Sequence, residues 1–118
     1  MKDISPQVQN QIQQYQQLQQ QLQVLGSQRI QLEAKLREID STLEELSKLP
    51  EESTVYKSIG VLLVKANDRE ALKKELDEHK ETLTIRVKSI QKQEKAIGER
   101  YEDLQRKIQT ALGGPQAG

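Results

Sequence analysis

The sequence predicts an all-α-dominated fold: a long antiparallel two-helix coiled coil whose helices are joined by a β-hairpin. Three observations carry this. Apolar residues recur at heptad spacing through two long stretches. A dense β-branched and aromatic run separates those stretches. Apolar residues make up only 34% of the 118, with no Phe and no Trp, against roughly 45–50% in ordinary globular domains. A thick multilayer core cannot be filled from that stock, whereas its surplus of Gln, Glu, Lys, Leu and Arg suits helices that touch along a narrow seam.

The first helix is expected over 6–48. Ser5 is placed to cap it, with Pro6 at the first helical position, where its missing N–H costs nothing. Val8, Tyr15, Leu22, Leu36 and Leu43 occupy heptad position a, and Ile4, Leu18, Leu25, Leu32, Ile39 and Leu46 occupy d. Gln11 and Arg29 interrupt the pattern. Glu33/Arg37 and Glu44/Lys48 are i,i+4 pairs in the favoured order. Pro50 stops the helix.

The connector contains Thr54-Val55-Tyr56-Lys57-Ser58-Ile59-Gly60-Val61-Leu62-Leu63-Val64-Lys65, read as a β-hairpin over 54–65. Ile59-Gly60 is a poor type I′ turn, because Ile resists positive φ. The expectation is a longer turn with Gly60 in the left-handed region. A lone two-stranded hairpin is marginal in water, and its edges carry unpaired N–H and C=O groups. Val55, Tyr56, Ile59, Gly60, Val61, Leu62, Leu63 and Val64 therefore form a candidate assembly element, covered by hairpins of other subunits.

The second helix is expected over 68–112, capped by Asn67 with Glu70 as reciprocal partner. Leu76, Leu83, Ile90, Ile97, Leu104 and Ala111 fall at d; Lys73, Lys80, Val87, Glu94, Tyr101 and Ile108 fall at a. Gly113-Gly114-Pro115 ends the helix, and 113–118 is a frayed tail. Helices of this length are roughly 65 Å long at 1.5 Å per residue. Their near-equal lengths and short connector favour antiparallel pairing. One register opposes Leu43 with Leu76, Leu36 with Leu83, Leu22 with Ile97 and Tyr15 with Leu104. A second, one heptad away, also pairs apolar residues. The first is preferred because it brings together both helix ends beside the connector.

Much chemistry is excluded. Without cysteine there is no disulfide, thiolate nucleophile or thiolate metal site. The lone His79 has no second histidine to share a metal, and it reads as a structural residue beside the seam. No Ser-His-Asp grouping or phosphate-cradling Gly-rich loop is recognisable, so no catalytic residue, cofactor or metal is assigned. No apolar run is long enough to span a membrane. Met1 to Pro6 lacks the basic-then-apolar shape of a signal peptide. The 18 basic residues balance the 18 acidic ones, giving no general reason to expect nucleic acid. The expected compartment is the cytoplasm. Lys and Arg appear matched by acids within each helix, which reads as solvated faces.

The hairpin run Val55-Tyr56-Lys57-Ser58-Ile59-Gly60-Val61-Leu62-Leu63-Val64-Lys65 resembles the V-Y-K-x-x-G-x-x-L-V-K pattern of the prefoldin β-class subunits, most closely the archaeal form. The opening Pro6-Gln7-Val8-Gln9 with its Gln-rich helix adds to the resemblance. So does Ile90-Gln91-Lys92-Gln93-Glu94, near the family's R-Q-E, with Lys92 where Arg is usual. The likeness covers residues 1 to about 112. It implies an ATP-independent holdase, a hexamer of two α-class and four β-class subunits. In that family the hairpins form a platform, the coil tips grip non-native polypeptides, and clients pass to a group II chaperonin.

With that resemblance, the apolar residues at the open end become candidate client contacts: Ile4, Val8, Ile12, Ile108, Ala111 and Leu112. A two-helix seam cannot cover a, d and the flanking e positions together, and exposed apolar patches mark binding surfaces. Ordinary seam burial is the competing reading for the same residues. Between Gln7 and Gln31 lie 13 glutamines, and residues 4–28 carry no charge. That stretch is either a plain solvated helix face or an adaptable surface tolerant of many polypeptides. Gly26 and Gly98 read as local tolerance or as a softening of the helix pair. A structural coiled-coil adaptor without chaperone activity is the rival function.

Overall fold

The computed structural model describes residues 4–113, so the expected tail beyond Gly113 lies outside the described residues. The elements run α1 (Pro6–Lys48), β1 (Tyr56–Ile59), β2 (Leu62–Lys65) and α2 (Arg69–Ala111). The fold class is the one the heptads and the connector predict: two long helices, antiparallel, joined by a two-stranded hairpin.

Each helix end has a local cause. The Ser5 hydroxyl accepts the Val8 N–H at 3.2 Å, satisfying an orphan donor of the first turn. The cap of α2 is Asp68, not Asn67: its Oδ1 accepts the Ala71 N–H at 3.0 Å. The cap bond runs to the third helical residue, and from Asp68 that residue is Ala71. Alanine cannot reach back, so Glu70 forms no capping box and instead places its charge at the positive helix end. At the other end Gly113 takes φ +68° and donates to the Thr110 carbonyl at 3.1 Å, a glycine stop.

The hairpin pairs Tyr56 with Lys65, Lys57 with Val64, Ser58 with Leu63 and Ile59 with Leu62. The Ala66 N–H on the Val55 carbonyl, at 2.8 Å, adds one more rung. The turn is therefore a tight two-residue Gly60-Val61 loop, not the longer one expected. Gly60 alone carries positive φ, +58°, which matches the type II′ pattern with glycine at the first central position. Because the turn centres one residue later than Ile59-Gly60, Ile59 stays in the strand and is never asked for a left-handed conformation.

The chain divides into two compact units. Unit 1 takes residues 1–30 and 88–118; unit 2 takes 31–87. In unit 2 the buried core is Leu32, Ile39, Leu46, Leu83 and Val87; in unit 1 it is Leu18 and Ile90. All but Val87 are d residues. The a residues Tyr15, Leu22, Leu36 and Leu43 are only half-buried, as are the d residues Leu25, Leu76, Ile97 and Leu104. Full burial of one such aliphatic side chain contributes about 1.5–3 kcal/mol.

Polar contacts set the helix register within each unit. In unit 1 Arg29 Nε meets Glu94 Oε1 at 2.7 Å, both residues standing at a positions. In unit 2 Lys80 Nζ meets Asp40 Oδ1 at 2.5 Å. That hydrogen bond, with the opposite charge, holds the Lys80 pKa above its ordinary value. These partners lie within four residues of the preferred register and eight or more from the alternative.

Candidate functional site

In unit 2 the chain leaves an apolar hairpin standing open. Val61 is fully exposed, Leu63 is 74% exposed and Tyr56 60%. Ile59, Leu62 and Val64 are exposed too, while Val55 is half-buried. Two strands make the whole sheet, so each has an outer edge with unpaired backbone groups, the arrangement natural proteins cover.

Two side chains fix the hairpin to the helices. Lys57 Nζ donates to both Glu75 carboxylate oxygens, at 2.7 and 2.8 Å, tying β1 to α2. Arg69, the first residue of α2, donates to the carbonyls of Leu46, Leu49 (2.8 Å) and Pro50 (2.9 Å). Leu46 lies in the last turn of α1, and Leu49 and Pro50 lie just past it; a guanidinium with a fork of donors reaches all three carbonyls. Between hairpin and helices lies a groove of about 670 Å³, lined by Leu46, Leu49, Val55, Tyr56, Leu72 and Leu76 among others, with the exposed His79 at its wall. Neither anchor was read from the sequence. Each joins residues 18 or more apart, beyond any i,i+4 rule.

In unit 1 the N-terminal end of α1 and the C-terminal end of α2 lie side by side. Of the six candidate contacts, Ile4 (37%), Leu112 (54%) and Ala111 are exposed; Val8, Ile12 and Ile108 are half-buried. Val8 and Ala111 share a groove of about 400 Å³ with Gln7, Gln11, Arg106 and Lys107. Asp103 serves both of these cations, at 3.6 Å from Arg106 and 3.2 Å from Lys107. One carboxylate is thus shared by two cations, not one for each as the even charge pattern suggested.

Farther along the same unit the seam closes on an aromatic pair. Tyr15 stacks on Tyr101 with ring centroids 4.4 Å apart and planes within 14°; Tyr101 donates its hydroxyl proton to Tyr15 at 2.8 Å. That hydrogen bond, then burial, pushes the Tyr101 phenol above its ordinary pKa. Leu104, the expected partner of Tyr15, lies one turn beyond. A second groove, of about 540 Å³, is lined by Gln17, Gln20, Gln21, Gln28 and Gln93 around Val24, Leu25 and Ile97. The five glutamines are themselves exposed, and they border Val24, which is 52% exposed, and the half-buried Leu25 and Ile97.

Among the described residues no helix is long and apolar enough to cross a membrane. Comparison with known proteins is decisive as to family. The family model described as Prefoldin subunit matches residues 9–114. The chain is similar to the prefoldin subunit beta of Archaeoglobus fulgidus, 49% identical over 118 residues and the whole of both chains. It is 44% identical to that of Methanosarcina acetivorans over 111 residues, 94% of each chain. Its fold is similar to the crystal structure of the prefoldin beta subunit from Thermococcus strain KS-1, with TM-score 0.86 and 37% identity. That match covers 98% of this chain and 100% of the other.

Proposed function

The chain belongs to the prefoldin subunit family, as a β-class chaperone subunit, and from that premise we propose that it acts as an ATP-independent holdase. It joins α-class subunits in a hexamer of two α-class and four β-class chains. It captures non-native polypeptide at the open end of its helix pair and delivers it to a group II chaperonin in the cytoplasm. One observation supports this reading above all: each unit leaves apolar side chains uncovered, the hairpin in unit 2 and the Ile4/Leu112 end in unit 1. Exposed apolar surface on a chain rich in charge is a binding surface or a liability. Hairpins that cover one another remove the first exposure, and a transient client covers the second.

The mechanism is multivalent. A single open end offers little apolar area, so a single contact is weak. Several such ends on one assembly raise effective concentration, and avidity exceeds single-site affinity by ~10²–10⁴. The test is co-purification with the α-class partner, followed by suppression of aggregation of a chemically unfolded client, with and without ATP. Hexamers that suppress aggregation without nucleotide are expected. Closed dimers that bind no unfolded chain would instead make the protein a structural coiled-coil adaptor.

A further inference from the structure

The open end of unit 1 has an electrostatic sign as well as an apolar surface. Of the side chains that line the groove at this end only Arg106 and Lys107 are charged, and the acids Glu102 and Asp103 stand one helical turn before them, outside the lining. Both line the groove that holds Val8 and Ala111. The α1 wall answers them with Gln7 and Gln11, which carry no charge. Asp103 is split between the two: it approaches Lys107 to 3.2 Å but stays 3.6 Å from Arg106, longer than a charge-assisted hydrogen bond. The Arg106 side chain is 70% exposed, so its fork of donors faces largely to solvent.

We propose that this groove selects non-native segments in which a carboxylate side chain adjoins apolar residues. The inference rests on the reading that clients are held at this end, and adds a chemical preference to it. Val8 and Ala111 supply the apolar floor, and Arg106 with Lys107 supplies a charge for which the groove has too little counter-charge of its own. An acidic-apolar segment completes both. A basic-apolar segment of equal hydrophobicity meets two like charges. Arg106 and Lys107 also suit the negative end of the α2 dipole, and that role alone predicts no client preference.

The experiment uses the full hexamer assembled with the α-class partner. Three labelled peptides share one apolar core and differ only in flanks of Glu, Gln or Lys. At low ionic strength the Glu peptide is expected to bind about three- to tenfold more tightly than the Gln peptide, and the Lys peptide more weakly than either. The preference should fade near 0.3 M salt as exposed charges are screened. Arg106→Gln with Lys107→Gln should abolish the preference, so that the Glu, Gln and Lys peptides bind within about twofold of one another. Equal affinity for all three peptides, or a Glu preference that survives the double substitution, overturns the inference and leaves client capture at this end standing. If no peptide binds, and an unfolded client protein fails to bind as well, the capture reading and the inference fall together.

Discussion

The Arg69 guanidinium donates to the Leu49 carbonyl at 2.8 Å, so the first residue of α2 holds the chain where it leaves α1. Neighbouring bonds to Leu46 and Pro50 complete the hold. The return path of the connector is thereby fixed by a side chain that is outside it.

Arg69→Ala should therefore loosen the end of α1, not the start of α2. Hydrogen bonds from a charged donor contribute about 1.5–3 kcal/mol each when buried. These are partly solvated, so about 1–2 kcal/mol in total is expected. Amide hydrogen exchange should accelerate at Ser47, Lys48 and Leu49. Arg69→Lys should recover less than half of the loss, because a point charge cannot reach three carbonyls as a fork does. Unchanged exchange in that turn would remove the hold from the account.

Gly98 stands in the interior of α2 with nothing within 4 Å of where a Cβ would lie. Packing does not require a glycine there. Gly98→Ala should raise unfolding free energy by about 0.5–1 kcal/mol, the helix-propensity difference. Thermal melts of the variant and parent followed by circular dichroism check this. A loss of stability, or a gain accompanied by weaker client binding, would favour the reading in which the glycine softens the helix pair for function.

The tyrosine pair and the Lys80–Asp40 pair make a pH prediction of one sign. Both Tyr101 and Lys80 have folded pKa values raised above their ordinary 10.0 and 10.5. Each prefers its protonated form in the fold, so its contribution is fully present below the ordinary value and lost as pH rises through the folded one. Stability should be indifferent to these two groups from pH 6 to 9 and decline above about pH 10. In Tyr15→Phe the phenol of Tyr101 loses its partner. Phenolate absorbance near 295 nm should then appear at lower pH than in the parent. Coincident titration curves would contradict the assignment.

The hairpin prediction separates assembly from folding. Tyr56 and Leu63 are mostly exposed side chains on β1 and β2, so replacing both with Asp removes little packing within the chain. Tyr56→Asp with Leu63→Asp should keep the helical signal of the parent while yielding monomers or dimers in light-scattering chromatography with the α-class partner. A full-size complex from the double variant would show that assembly runs through the coil.

Much of this was legible in the sequence because its causes are local. Heptad spacing marked the seam from which the buried residues come, Leu18, Leu32, Ile39 and Leu46 among them, without telling that the d row is the more buried. Ser5 and Pro6 marked the start of α1, and the run from Val55 to Lys65 marked a hairpin that the chain does not cover by itself. The misses have a common origin. Asn67 and Asp68 are adjacent cap-formers; Glu70 three residues on pointed to Asn67, but it is Asp68 that accepts a first-turn N–H, from Ala71. The turn was expected to be longer, with Gly60 left-handed; Gly60 does take positive φ, but as the first residue of a two-residue Gly60-Val61 turn, a register that the strand pattern does not state. Arg69 with Leu49, Lys57 with Glu75 and Tyr15 with Tyr101 join residues brought together only by the fold. Counting acids per helix likewise does not show that Asp103 serves both Arg106 and Lys107.

The last prediction concerns the apolar grip itself. Ile4 and Leu112 come from opposite ends of the sequence and are exposed in unit 1, whereas Ile12 is half-buried and contributes to its own unit's packing. Ile4→Ser with Leu112→Ser is therefore the cleaner pair, because these two side chains are the more exposed. Each removes roughly 1–2 kcal/mol of apolar burial per engaged end. In one β-class copy of four, avidity masks most of that loss. In all four copies the losses compound, and suppression of client aggregation should fall by an order of magnitude or more. Hexamer formation should be unaffected, because the hairpin residues belong to unit 2 and are untouched. Mixing wild-type and variant subunits in defined ratios before assembly tests the compounding directly: activity should fall more steeply than linearly with variant fraction. Full suppression by an all-variant hexamer would move the grip to the α-class subunits or to the glutamine-lined groove around Val24.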